Sequence, residues 1–172
     1  MRRPLIVVAG ALAALVLAAP TAEAAACPEQ SLERTFLPWL DPAWYHPAPD
    51  GGFESGGSWA LTGGAAVVEG NQPYLDGARS LRLPGGSTAT TAPICVTVAH
   101  PTIRLFARNA GNPLAPLTVT VSFRTLLGLE LTLPVGTVLS GEEWAPTLPL
   151  LVAGNLLSPQ ARFTFSSAPG AS

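Results

Sequence analysis

Glycine and proline interrupt this chain so often that no long regular helix can form. Gly56-Gly57, Gly63-Gly64, Asp76-Gly77 and Gly85-Gly86 mark turns, because glycine alone enters left-handed backbone without strain and proline blocks helix interiors. Between the turns lie short runs that alternate apolar and polar residues, the period of a half-buried strand. The clearest is 117–123, with Leu117, Val119, Val121 and Phe123 on one face and Thr118, Thr120 and Ser122 on the other. Segment 102–108 puts Ile103, Leu105 and Ala107 opposite Arg104, Phe106 and Arg108. Further strands are expected at 53–55, 59–61, 65–68, 80–83, 94–98, 127–133, 135–139 and 160–165, with 148–157 open between strand and helical turn. About ten closely spaced strands define an all-β chain folded as an antiparallel β-sandwich.

Charge narrows the functional classes. The sequence holds 9 Lys plus Arg against 11 Asp plus Glu, and only 12% of its residues are charged. A nucleic-acid-binding face needs clustered cations, and seven arginines against ten acids beyond residue 26 supply none. Serine and threonine are abundant instead, which gives a neutral, hydroxylated surface.

Residues 1–26 read as a secretory signal peptide. Arg2 and Arg3 precede an apolar run over 5–19, and small residues follow up to Ala26. The run is too short to span a membrane, which takes about 20 residues. Localisation is therefore expected to be secreted or associated with the cell envelope. Cys27 follows Ala26, so two fates stand open. It becomes a lipidated first residue, or it bridges to Cys95 in an oxidising compartment. Against lipidation, Ala24 stands three positions before Cys27, where such signals prefer leucine. Closing a loop of this length stabilises a fold by up to about 4 kcal/mol in the chain-entropy model.

Residues 27–49 form an irregular segment in which Phe36, Trp39, Trp44 and Tyr45 are interleaved with prolines. One or two helical turns are expected before Pro38 and nothing longer. The aromatics are expected to lie across the sandwich, the competing reading being an exposed aromatic binding cluster. Residues 50–172 make the sandwich domain.

The run Asp50-Gly-Gly-Phe-Glu-Ser-Gly-Gly-Ser-Trp-Ala-Leu61, with Gly77-Ala-Arg-Ser-Leu-Arg-Leu-Pro84 after it, resembles the opening of secreted jelly-roll domains related to carbohydrate-binding modules of the galactose-binding-like type. Residues 37–41 and 100–104 also resemble a group of secreted actinobacterial proteins. The resemblance implies a jelly-roll sandwich and a glycan or cell-wall polysaccharide partner. It further implies a structural calcium held by Glu54, backbone carbonyls and an acid near the C-terminus. The acidic final strand of those domains has no counterpart after Phe165, so an unpaired edge beside 160–165 is expected unless another segment covers it.

Catalytic motifs are scarce. No serine has the Gly-x-Ser-x-Gly spacing of a nucleophile elbow. His46 and His100 each precede a proline, and the acids Glu54, Asp76, Glu130, Glu142 and Glu143 form no local pair. The residue set with most binding character is Arg104, Phe106 and Arg108 on one strand face, with Trp144 nearby in sequence. Arginine and an aromatic at alternating positions can hydrogen-bond hydroxyls and stack on a sugar ring. The opposing reading places Phe106 in a second core face.

The sequence alone thus describes a secreted, non-catalytic sandwich that binds carbohydrate at the cell envelope. A ligand-free structural or protein-interaction domain is the alternative and a hydrolase the third. Calcium is the one cofactor implied, and neither nucleic acid nor a membrane span is expected. Intact-mass analysis of the secreted protein is predicted to give a chain beginning at Cys27 and lighter by two hydrogens. An added diacylglyceryl group there overturns the bridge.

Overall fold

The computed structural model describes residues 30–97, 99–112, 114–125, 127–152 and 160–170. The leader, Cys27 and residues 153–157 of the ambiguous stretch 148–157 lie outside them. Among the described residues twelve short strands follow one another: β1 (Ala60–Thr62), β2 (Ala66–Glu69), β3 (Arg79–Arg82), β4 (Thr88–Thr90), β5 (Ile94–Cys95) and β6 (Thr102–Ile103). Then come β7 (Phe106–Ala107), β8 (Leu117–Arg124), β9 (Glu130–Val138), β10 (Ala145–Pro146), β11 (Leu150–Leu151) and β12 (Gln160–Ser167). All pairings are antiparallel, and the chain is the expected antiparallel β-sandwich.

The main sheet runs β1-β4-β12-β8-β9, with β5 also paired to β12. Its inner face holds the core, in which Val119, Val121 and Phe123 of β8 meet Ala161, Phe163 and Phe165 of β12 with Val138 and Val152 beside them. Period-two alternation puts those side chains on one side. Burying each one stabilises the fold by roughly 1.5–3 kcal/mol for a valine- or phenylalanine-sized group. Ile103, Leu105, Ala107 and Leu150 pack onto this core from the second layer.

That layer is one interrupted ribbon. Thr102 and Ile103 pair with Leu151 and Leu150, and Phe106 and Ala107 pair with Pro146 and Ala145. Two residues on one strand face three on the other between these pairs, which is the geometry of a bulge. Thr147 repairs the break: its N–H donates to Leu105 O at 2.8 Å and its hydroxyl accepts from Leu105 N–H at 3.3 Å. A second bulge lies in β9, where the register against β8 shifts between Val119 and Thr120. Gly136 follows it, and a Cβ there would stand 3.2 Å from Leu150 Cδ2. The glycine therefore lets β11 approach the sheet.

Three expectations are corrected. The segment 53–55 is no strand but part of a turn-rich loop, because Phe53 adopts a left-handed φ of 61°. The short helix forms later than expected, as a 3₁₀ turn at Leu37–Trp39 that begins with Pro38 in its first turn, where a missing N–H costs nothing. Finally, 160–165 is no edge: β4 and β5 cover one side of β12 and β8 the other. Strand β4 was illegible because Thr-Ala-Thr is too short to show a period.

The inward face of β8 is predicted to carry the stability. Phe123→Ala is expected to cost about 3–5 kcal/mol in denaturant unfolding, and Thr120→Ala, on the opposite face of the same strand, about 1 kcal/mol or less.

Candidate functional site

The outward side of residues 104–108, around β7, carries the residues that the alternation singled out, and at Phe106 it is already occupied by the chain itself. The Phe106 ring lies 5.2 Å from Phe36, 5.4 Å from Trp39 and 5.3 Å from Tyr74 between centroids. Trp39 meets Tyr74 edge-on, and Tyr45 meets Phe36 in the same way. Phe36, Trp39 and Tyr45 thus lie across the second layer, as one of the two readings held, whereas Trp44 stays exposed with the Arg34 guanidinium 4.6 Å over its ring.

Arg104 fixes that segment. Its Nε donates to Thr147 O at 2.7 Å, a carbonyl in the ribbon bulge, and its Nη1 donates to Asp41 Oδ2 at 2.6 Å. The Asp41 carboxylate also accepts from Tyr45 Oη–H at 2.7 Å and from Ala43 N–H at 3.1 Å. The guanidinium lies 4.4 Å above the Phe36 ring. Only 5% of the Arg104 side chain and 14% of that of Asp41 remain exposed. Desolvation pushes the Asp41 carboxyl upward, but the hydrogen bonds from Tyr45, Ala43 and Arg104 outweigh it and hold the group below its ordinary value. Burial, reinforced by Asp41, raises the Tyr45 phenol.

Arg108 is exposed and lies 5.5 Å over the half-buried Trp144 ring. Tyr74 Oη–H donates to Trp144 O at 2.8 Å and ties that edge to the aromatic cluster. The four residues Arg104, Phe106, Arg108 and Trp144 therefore share one side of the ribbon. Asp41 and Thr147 were not singled out in advance. Asp41 ends the Leu-Pro-Trp-Leu-Asp segment, which was a usable signal, whereas Thr147 gave none.

Glu54 acts on backbone. Its Oε1 accepts from Ala78 N–H at 2.6 Å and Arg79 N–H at 3.0 Å, capping the start of β3. Asp50, four residues earlier, accepts from Ser55 N–H at 3.0 Å and Gly56 N–H at 3.1 Å and so closes its own loop. The amide and the hydroxyl of Ser55, with the amides of Gly57 and Gly56, hold the Asp50 carboxyl below its usual value. Calcium takes six to eight oxygens, and among the described residues no three His, Cys, Asp or Glu side chains gather into a set that could hold a metal. Glu54 Oε1 and both Asp50 oxygens face amide hydrogens, the surroundings of backbone caps rather than of a calcium site.

Elsewhere, His46 Nδ1 donates to Ser31 O at 3.0 Å, and His100 Nδ1 lies 3.0 Å from Thr97 Oγ1. Asp76, Glu130, Glu142 and Glu143 are all exposed. Cys95 is half-buried and is not a free thiol. Among the described residues no helix is long and apolar enough to cross a membrane.

The outer face of the main sheet is lined with hydroxyls. The register sets Thr62, Thr88, Ser166, Thr118 and Thr137 side by side across five strands. Thr90, Thr164 and Thr120 form the next row, and Arg162, Ser122 and Thr132 the third. Neighbours bond through their side chains: Thr62 to Thr88 at 2.6 Å, Thr90 to Thr164 at 2.9 Å and Ser122 to Thr132 at 2.9 Å.

No protein-family model matches the chain, and no curated protein sequence does either. Among solved structures, the chain is similar to the enzymatically active domain of tailspike protein 4 of bacteriophage CBA120. The match has 20% identity and a TM-score of 0.47, and covers 71% of this chain and 19% of that one. A likeness at this level assigns this chain neither an activity nor a ligand. The expectation of a chain without catalysis is not carried forward, since that neighbour is described as an enzymatically active domain and scarce local motifs do not decide the matter. The physical reason is that catalytic groups of a sandwich come from separate strands and loops, so no local motif need announce them.

The Arg104 and Asp41 pair is predicted to be strongly coupled to stability. Arg104→Ala leaves a desolvated carboxylate behind and is expected to cost about 3–5 kcal/mol in denaturant unfolding. Because the folded-state pKa of Asp41 is lowered, its contribution is fully present above the unfolded value of about 3.9 and is lost as pH falls through the folded one. Wild-type stability should therefore drop below about pH 4 more steeply than that of Asp41→Asn.

Proposed function

We propose that this chain is a secreted cell-envelope module that holds a neutral polysaccharide on the outer face of its main sheet. The observation that carries the reading is the set of hydroxyl rows. A hydroxyl has one hydrogen and two lone pairs, so each bonded pair uses one hydrogen internally and keeps the other for a ligand. Strand spacing repeats the rows at about 4.8 Å across the sheet and about 6.8 Å along each strand. Threonine methyl groups lie between them and suit the C–H faces of sugar rings. Charge enters the three rows only at Arg162, so an anionic polymer gains little there.

Secretion by the leader and a bridge from Cys27 to Cys95 belong to the same proposal, and the bonded state of Cys95 supports the second. One observation favours the alternative of a ligand-free structural or protein-interaction domain. Arg104 and Phe106, the residues best suited to a sugar, are engaged by the chain's own segment.

Affinity electrophoresis through gels of neutral glucans, galactans and wall polysaccharide tests the reading, with polygalacturonate as the charged comparison. Retardation by a neutral polymer is expected, together with its loss in Thr118→Lys while circular dichroism stays that of a β-sandwich. No retardation by any polymer leaves the ligand-free reading.

A further inference from the structure

A recess of about 180 Å³ opens at the β1 edge, lined by Asp50, Phe53, Gly57, Trp59, Leu61 and Arg79 among others. Leu61 and Thr62 are adjacent on β1 and point to opposite faces, so this recess is separate from the hydroxyl rows. Nothing in the polysaccharide reading requires it. We propose that the recess binds a single neutral pyranose-sized polyol ring.

Size sets the first limit. Pockets for drug-sized ligands span about 300–1,000 Å³, and a volume near 180 Å³ admits one six-membered ring. Charge sets the second. One carboxylate and one guanidinium share the lining, so a cation or an anion meets a like charge as well as an unlike one, whereas a neutral polyol is repelled by neither. Asp50 is committed to its own loop, facing the amides of Ser55, Gly56 and Gly57 and the Ser55 hydroxyl, so the side chain left to meet a ligand is Arg79. Arg79 is held only loosely at its side chain, its Nε standing 3.7 Å from the exposed Glu69 carboxylate. It is therefore available to donate to ring or hydroxyl oxygens.

The apolar wall completes the match. Phe53 and Trp59 stand with ring centroids 5.1 Å apart, and the Trp59 Nε1–H donates to Pro49 O at 3.2 Å, which fixes the indole. A polyol ring presents C–H groups to such a wall and its oxygens to Arg79. Two non-glycine residues of the loop, Asp50 and Phe53, have left-handed φ values of 50° and 61°. Strain of this kind persists where surrounding contacts enforce it, and it clusters at ligand sites. On the rim, a Cβ at Gly56 or Gly57 would meet nothing within 4 Å, so the mouth is open.

The test is an amide-resolved NMR titration of the full mature chain with glucose, galactose and mannose, with glucuronate and glucosamine as charged comparisons. Saturable shifts are expected for at least one neutral sugar, confined to the amides of 55–57 and the Trp59 indole, with a Kd on the order of millimolar. Arg79→Ala is expected to weaken binding about tenfold or more. Gly57→Leu should do the same by filling the mouth, and both variants should keep the wild-type β-sheet spectrum. Absence of saturable shifts with all three neutral sugars overturns the proposal, as do shifts undiminished in Gly57→Leu or tighter binding of a charged sugar. Polymer retardation on gels is a separate readout, so either reading fails without taking the other with it.

Discussion

Strand β12, the last in chain order, holds the main sheet together. It pairs with β4 and β5 on one side and with β8 on the other. Without it the sheet separates into the β1–β4 pair and the β8–β9 hairpin. The same strand supplies Ala161, Phe163 and Phe165 to the core. Its cross-sheet pairs are distant in sequence, and such contacts bring reward only after long loops have closed. Both the hydroxyl rows and the buried face depend on this one closure, because each row crosses β12.

The two faces of the second layer solve different problems. Inward, Ile103, Leu105 and Ala107 meet the core. Outward, Phe106 needs cover, and the irregular N-terminal segment provides it through Phe36 and Trp39. A proline-rich segment has few backbone bonds of its own to hold it in place. Here one guanidinium spans the gap, binding the bulge carbonyl of Thr147 and the carboxylate of Asp41 at once. The ribbon bulge and the ion pair are therefore one device.

Several parts of this arrangement were legible in advance. The alternation at 102–108 and 117–123 named the inward side chains, and the prolines of 27–49 announced a segment without regular structure. Less of the candidate site was legible. Arg104 was visible as an outward residue, but its partner Asp41 lies 63 positions away, and no local pattern links them. Glu54 was singled out through a resemblance, and its contacts prove to be amides of Ala78 and Arg79. The recess was not legible because Trp59 stands in an expected strand, and it packs on Phe165 while also lining a wall.

What the sequence by itself determined is local in origin. Side-chain period, turn residues and charge content fixed an all-β chain with one apolar and one hydroxylated face on its longer strands. Those properties follow from steric and solvation preferences within a few residues. Tertiary structure alone decided which strands became neighbours, that Thr88–Thr90 entered the sheet beside β12, and that hydroxyls from five strands line up in one row. It also decided which charges meet. These outcomes depend on register between distant segments, where shifting one strand by a single residue turns every side chain to the opposite face.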